Sequence, residues 1–181
     1  LVPYSEFSVK KLYELGKQLN WNAETDVDWT PEFKEITDEE FDFENNQWSE
    51  HPVYKTWDTE KRKEFIKDLN AWSISQFLHG EQGALLVASQ LASCAPTFNA
   101  KLYAASQTFD EARHVEAFNK YLQTRIQRTW PIGRALKGLL DKILTDPRWD
   151  LKFIGMQVVI EGLALAAFNA SKNATSDPVL Y

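Results

Sequence analysis

Scarcity narrows this chain before any motif does. It has one cysteine, Cys94, one methionine and three histidines in 181 residues. A single cysteine excludes a disulfide framework and any zinc site built from paired thiols, and it fits a reducing compartment, so the cytoplasm is the expected location. No eighteen consecutive apolar residues occur, and the opening Leu1-Val2-Pro3-Tyr4 is not a basic segment ahead of an apolar one. Neither a membrane span nor a secretory signal is therefore visible. Cations are too few and too scattered to follow a phosphate backbone, which argues against a nucleic-acid partner. Seven glycines and seven prolines rule out fibrous and low-complexity classes.

What is present is ample apolar mass, 44% of residues, enough for one globular core. Charge is unevenly spread. Between Trp21 and Glu50 there are eleven acidic residues and one basic one, Lys34, a local balance of -10 against -6 for the whole chain. The remainder is mildly basic. Residues 1–57 thus read as an N-terminal helix and an acidic arm, pinned to the body by Trp21, Trp29 and Trp48, and residues 58–181 as a helical body.

Ser5 to Leu19 reads as a short amphipathic helix, with Ser5 as N-cap and Phe7, Leu12, Leu15 and Leu19 near one face. Asp58 and Thr59 open a long helix that runs, with a break expected near Asn70, to Ala95. Phe77, Glu81, Ala84, Ala88 and Leu91 form its core stripe, and Gly80 and Gly83 beside Glu81 would let another helix come close. Thr97 caps a second long helix that ends by Trp130-Pro131, because proline cannot continue it. A shorter helix spans Arg134 to Leu144. Asp150 starts a strongly apolar helix to about Ala170, buried on nearly every face, with Glu161 its one interior acid. Ser176-Asp177-Pro178 has the form of a further helix start. Cys94 reads as a small core residue, His79 as a surface group and His51 as a loop residue.

The chemistry centres on Glu111 and His114. Three residues apart on a helix, they share a face, and a carboxylate and an imidazole pointing the same way can hold one metal ion. Glu81 strengthens the case. It lies thirty residues upstream, with Pro96 at the midpoint, so that in a hairpin turning at Pro96 each carboxylate stands about 22 Å along its own helix. Both then sit at one height. Glu161, alone in an apolar segment, is costly as a buried charge unless it is paired or bound to a metal.

With carboxylates on three helices and one Glu-x-x-His, the chain resembles the ferritin-like di-iron carboxylate proteins, and Asp110-Glu111-Ala112-Arg113-His114-Val115 is similar to the bacterial oxygenase and oxidase branch. The resemblance implies an all-α, ferritin-like four-helix bundle, of which three core helices are visible beside the N-terminal and connecting helices. It implies two iron ions, or a Mn/Fe pair, with dioxygen as co-substrate. Glu81 would be a terminal ligand of one metal, Glu111 a bridge, His114 the imidazole of the first metal and Glu161 a terminal ligand of the second. Asp110 would accept a hydrogen bond from a ligand histidine on the opposing helix, Arg113 would pair with a buried acid, and Gln107 would face the same pocket.

The second Glu-x-x-His of that pattern is absent, since only His51 and His79 remain. Mirroring Glu161 about Asp177-Pro178 would place it beyond Tyr181, which reads as a bundle incomplete at its C-terminal end. Phe118 stands where the small subunit of ribonucleotide reductase keeps its radical tyrosine. Ala84 and Met156 stand where the related ligand-binding oxidases form a Val–Tyr cross-link, so neither specialisation is expected. The function implied is oxidation of a small organic substrate. Iron oxidation and storage, or a metal-free helical module, are the alternatives. A small-molecule substrate is the expected partner, with an electron-donor protein and a second copy of the chain as further candidates and no membrane partner.

Overall fold

The computed structural model describes residues 4–33, 37, 41–175 and 177–180. Side chains of residues 4–7 lie outside that description, and with them the roles expected of Ser5 and Phe7; so do Lys34 and Ser176. All regular structure among the described residues is helical. In order come α1 (Tyr4–Gln18), α2 (Pro52–Lys55), α3 (Thr59–Cys94), α4 (Phe98–Tyr121), α5 (Arg134–Thr145), α6 (Trp149–Phe153) and α7 (Glu161–Ala174). Helix α4 runs on into a π-helical turn, Leu122–Ile126, and a longer π-helical stretch, Ile154–Ile160, joins α6 to α7 without a gap.

Local chemistry sets the long hairpin. Asp58 caps α3 by accepting the Lys61 N–H at 2.9 Å. The helix then continues for 36 residues with no break at Asn70. It ends where the residue before Pro96 is forced into extended backbone, with Ala95 at ψ 145°. Thr97 begins α4 by accepting the Ala100 N–H at 3.2 Å. Five π-type residues follow α4, and Gln127 closes them in the left-handed region at φ 54°, donating its N–H to Leu122 O at 2.7 Å.

Two apolar clusters hold the helices together. Ala84, Val87 and Leu91 of α3 pack with Ala104 of α4, Leu140 and Ile143 of α5, and Met156 and Ile160 of the π stretch. Ile74, Leu78, Tyr121 and Leu122 form the other, roofed by Trp29. Close approach at glycine occurs at Gly83, where a Cβ would lie 2.6 Å from Leu140 Cδ2, but at Gly80 a Cβ would meet nothing within 4 Å. Lys152, only 5% exposed, tethers the end of α5: its ammonium donates to Ile143 O, Leu144 O and Gln90 Oε1 at 3.0, 2.9 and 2.6 Å.

Helix direction can be read from side-chain partners. Gln107 bonds Gln157 and Phe118 stacks on Phe168, the same offset of fifty residues in both cases, so α4 and α7 run parallel. Phe77 meets Phe118 while Glu81 meets His114, so α3 is antiparallel to α4. The link from α4 to α6, which contains α5, is therefore a crossover rather than a hairpin turn.

Three sequence expectations are corrected. The segment from Phe153 to Phe168 is not buried all round: Val158, Leu163 and Leu165 are 58, 64 and 69% exposed, because α7 packs on its neighbours along one side only. Leu12 and Leu15 of α1, and Leu19 just beyond it, are exposed as well, in keeping with a helix on the outside of the bundle. Cys94, in the last turn of α3, lies at the surface instead of in the core. By length and composition Trp149–Asn173 is apolar enough to cross a membrane, a test that the core helix of a soluble protein also passes. At the C-terminal end, the expected start of a helix is a single turn among the described residues. Its Asp177 carboxylate accepts from Val179 N–H and from the buried Tyr121 hydroxyl, each at 2.9 Å.

The acidic arm is fastened along α4 and its π turn by a row of three cations. Arg113 donates to Asn20 Oδ1 and Trp21 O, Lys120 pairs with Glu24 and lies over the Trp29 ring, and Arg125 donates to Trp29 O and Pro31 O. One of these contacts, Lys120 with Glu24, is an ion pair with an acid of the arm; the two arginines are held by amide and backbone oxygens. Trp48 packs edge-on against Phe65 of α3, 5.5 Å between ring centres.

Candidate metal centre

The hairpin brings Glu81, Glu111 and His114 together. One ligand atom from each lies within 4.8 Å of the others, and both carboxylate residues are buried, 7 and 6% exposed. His114 Nδ1 is 3.1 Å from Glu111 Oε2 and 3.3 Å from Glu81 Oε2. The mirror relation about Pro96 carries the arrangement, because equal rise on two antiparallel helices sets their side chains level. Thirty residues of sequence separation become a single contact.

Burial by itself would make the His114 imidazolium more acidic. Its hydrogen bonds to Glu111 and Glu81 and their two charges together outweigh that effect, and its pKa is pushed up to about 10. Glu111 is raised above the usual carboxylate range, first by burial and then by Glu81, against the opposing hydrogen bond from His114. A proton on the imidazole offsets the charge of the two carboxylates.

Glu161 stands outside that group of three but within its field. Burial raises its pKa, the Glu111 charge raises it further, and His114 opposes both. It begins α7 directly after the π-helical stretch, and such stretches are frequent at functional sites. Gln107, one turn before Glu111, donates to Gln157 Oε1 at 2.7 Å. Gln157, one turn before Glu161, keeps its buried Nε2 without a partner. Sequence reading missed Gln157, although its place relative to Glu161 repeats that of Gln107 relative to Glu111. It also missed Tyr103, one turn before Gln107 on α4, whose hydroxyl is made less acidic by burial and by the charges of Glu111 and Glu161.

At the other end, Phe77, Phe118 and Phe168 pack on one another with ring centres 4.8 to 5.8 Å apart. The cluster therefore lies between an amide layer and an aromatic layer. Asp110 points elsewhere: it pairs with Arg113 one turn away on its own helix, where the expectation was a histidine across the bundle. Arg113 is the buried partner of that pair and reaches the arm. His79 faces away, with Nε2 3.0 Å from Trp130 O, and His51 Nδ1 accepts the Val53 N–H at 3.3 Å to cap α2. Neither adds a second imidazole to the cluster.

Two carboxylates and an imidazole form an oxygen-and-nitrogen donor set with no thiolate, suited to iron, manganese or zinc rather than to soft ions. Compared with models of known families, with curated proteins and with solved structures, the chain finds no significant match in any of the three.

Proposed function

We propose that the chain is a ferritin-like metal-dependent oxidoreductase that uses dioxygen to oxidise a small organic molecule. The observation that carries this reading is the convergence of Glu81, Glu111 and His114 within 4.8 Å from two helices of a bundle. The parallel run of α4 and α7, separated by a crossover, supports it, because ferritin-like bundles differ from simple up-down bundles by one long crossover. Glu81, Glu111 and His114 would hold one ion. Glu111 and Glu161 would offer carboxylates to a second, which a single imidazole leaves less completely ligated. Such a metal pair, when bound, supplies electrons to dioxygen.

The chain's own residues prepare that site. Glu81 and Glu111 concentrate negative charge in a dry interior, where it favours a cation strongly. His114 would give up its proton to bind metal, Tyr103 lies within the field of Glu111 and Glu161, and Gln157 keeps a buried amide N–H unpartnered one turn before Glu161. Phe77, Phe118 and Phe168 pack on one another at the opposite side.

The test is anaerobic titration of the metal-free chain with Fe(II), with metal counted per chain and oxygen uptake followed afterwards. Tight iron binding that is lost in Glu111→Gln, with oxygen consumed and no mineral formed, is the expected result. Continued uptake of iron into a mineral would favour storage. Failure to bind iron, manganese or zinc would favour a metal-free module, in which the protonated His114 simply neutralises two buried acids.

A further inference from the structure

The arm does more at Trp21 than cover the bundle. The Trp21 indole stacks on the His114 imidazole, ring centres 5.9 Å apart and planes 28° from parallel. Residues 20 and 21 are held there by one side chain. Arg113 donates to Asn20 Oδ1 and, at 2.9 Å, to Trp21 O, pairs with Asp110, and lies between the Trp21 and Phe109 rings at 5.2 and 5.0 Å. The clamp, Asp110 and Arg113, and the ligand, His114, occupy one turn of α4. The indole is thus positioned relative to the imidazole by neighbours in sequence, and movement elsewhere in the arm need not disturb it.

His114 needs such a backstop. Its side chain is 41% exposed, whereas those of Glu81 and Glu111 are 9 and 8% exposed, so the imidazole is the open side of the cluster. The outer torsion of a histidine is broad and roughly two-fold, and a turned ring would present carbon where Nδ1 now faces the carboxylates. A flat aromatic wall on the open face opposes that turn, and stacked aromatic pairs have the strength to do so.

We propose that Trp21, stacked on His114 and clamped by Arg113, is a positioning residue of the metal centre that keeps Nδ1 turned toward Glu81 and Glu111 and slows escape of a bound ion. This rests on the metal reading for its effect on release but not for its effect on the ring. Two measurements on the full chain separate those parts. In the metal-free protein, the His114 ring protons, assigned by their loss in His114→Gln, should show an upfield ring-current shift that persists in Trp21→Phe and vanishes in Trp21→Leu. In the Co(II)-loaded protein, release to excess EDTA should be roughly two- to twelve-fold faster in Trp21→Leu than in the wild type, the range expected for loss of one aromatic pair. Trp21→Phe should stay near the wild-type rate.

Leucine keeps apolar bulk without a ring, so wild-type release in Trp21→Leu would overturn the proposal in favour of plain packing. An unshifted His114 signal in the wild type would overturn it as well. If the wild type binds no Co(II), the metal reading fails, and the ring-current measurement alone decides whether Trp21 orders His114.

Discussion

The interior of the α3–α4 hairpin and the outer face of α6–α7 invert the usual distribution of side chains. Inside, Glu81 and Glu111 are buried against His114; outside, Val158, Leu163 and Leu165 stand open to solvent. Acids survive inside because each has a partner within hydrogen-bond reach, and an unpaired charge there would cost several kcal/mol. Apolar residues outside bear no comparable local cost, since exposed leucines are ordinary on protein surfaces. The difference teaches that hydropathy along α7 reports how apolar the helix is and not how many of its sides are covered. Pairing of the acids, by contrast, was encoded at particular spacings.

Substitutions on the two sides of one helix should break that comparison most sharply. Met156→Ala, at a fully buried position against α3 and α5, is expected to cost about 2 to 5 kcal/mol in chemical denaturation. Next comes the acid cluster. Glu111→Gln should weaken Co(II) binding by about 100-fold or more, since losing even outer partners of metal ligands costs 10- to 100-fold, with isothermal titration as the measurement.

The same cluster gives the metal-free protein a pH dependence with a definite sign. His114 has its folded pKa raised from the ordinary 6.5 of an imidazole to about 10, so its contribution to stability is fully present below about 6.5 and is lost as pH rises through about 10. Melting temperatures of the metal-free chain should therefore fall between those pH values, and Co(II) binding, which displaces the proton, should strengthen over the same range. His114→Gln should flatten both profiles.

Two glycines sharpen the contrast at smaller amplitude. Gly83→Ala would push a Cβ against Leu140 and is expected to destabilise by about 1 to 3 kcal/mol, whereas Gly80→Ala meets open space and should stabilise by up to about 1 kcal/mol. Smallest is Leu165→Lys on the open face of α7, expected to change unfolding free energy by no more than about 0.5 kcal/mol. A cost of several kcal/mol there would mean that this face is covered in solution.

Much of the architecture was legible from the chain alone. Asp58, Pro96 and Thr97 mark helix boundaries through hydrogen bonding and backbone sterics, which act between near neighbours, and the boundaries fall within a residue or two of those signals. The level placement of Glu81, Glu111 and His114 followed from hairpin arithmetic for the same reason. The break expected at Asn70 did not occur: Ile66 and Ala71, on either side of it, are both buried, and packing overrides a weak local preference.

What the sequence determined by itself was the helical class, the hairpin and the three facing ligand-type residues, all consequences of periodicity and of caps and prolines that act within a few residues. The tertiary structure decided the parallel run of α4 and α7, the pairing of Gln107 with Gln157, the turning of Asp110 toward Arg113, the exposure of Cys94 and of one side of α7, and the stacking of Trp21 on His114. Each of these depends on which element arrives beside which after the chain has crossed over. No spacing rule reaches across ninety residues to join a tryptophan in an acidic arm to an imidazole on α4; only the cations of that helix, meeting the arm in space, could place it there.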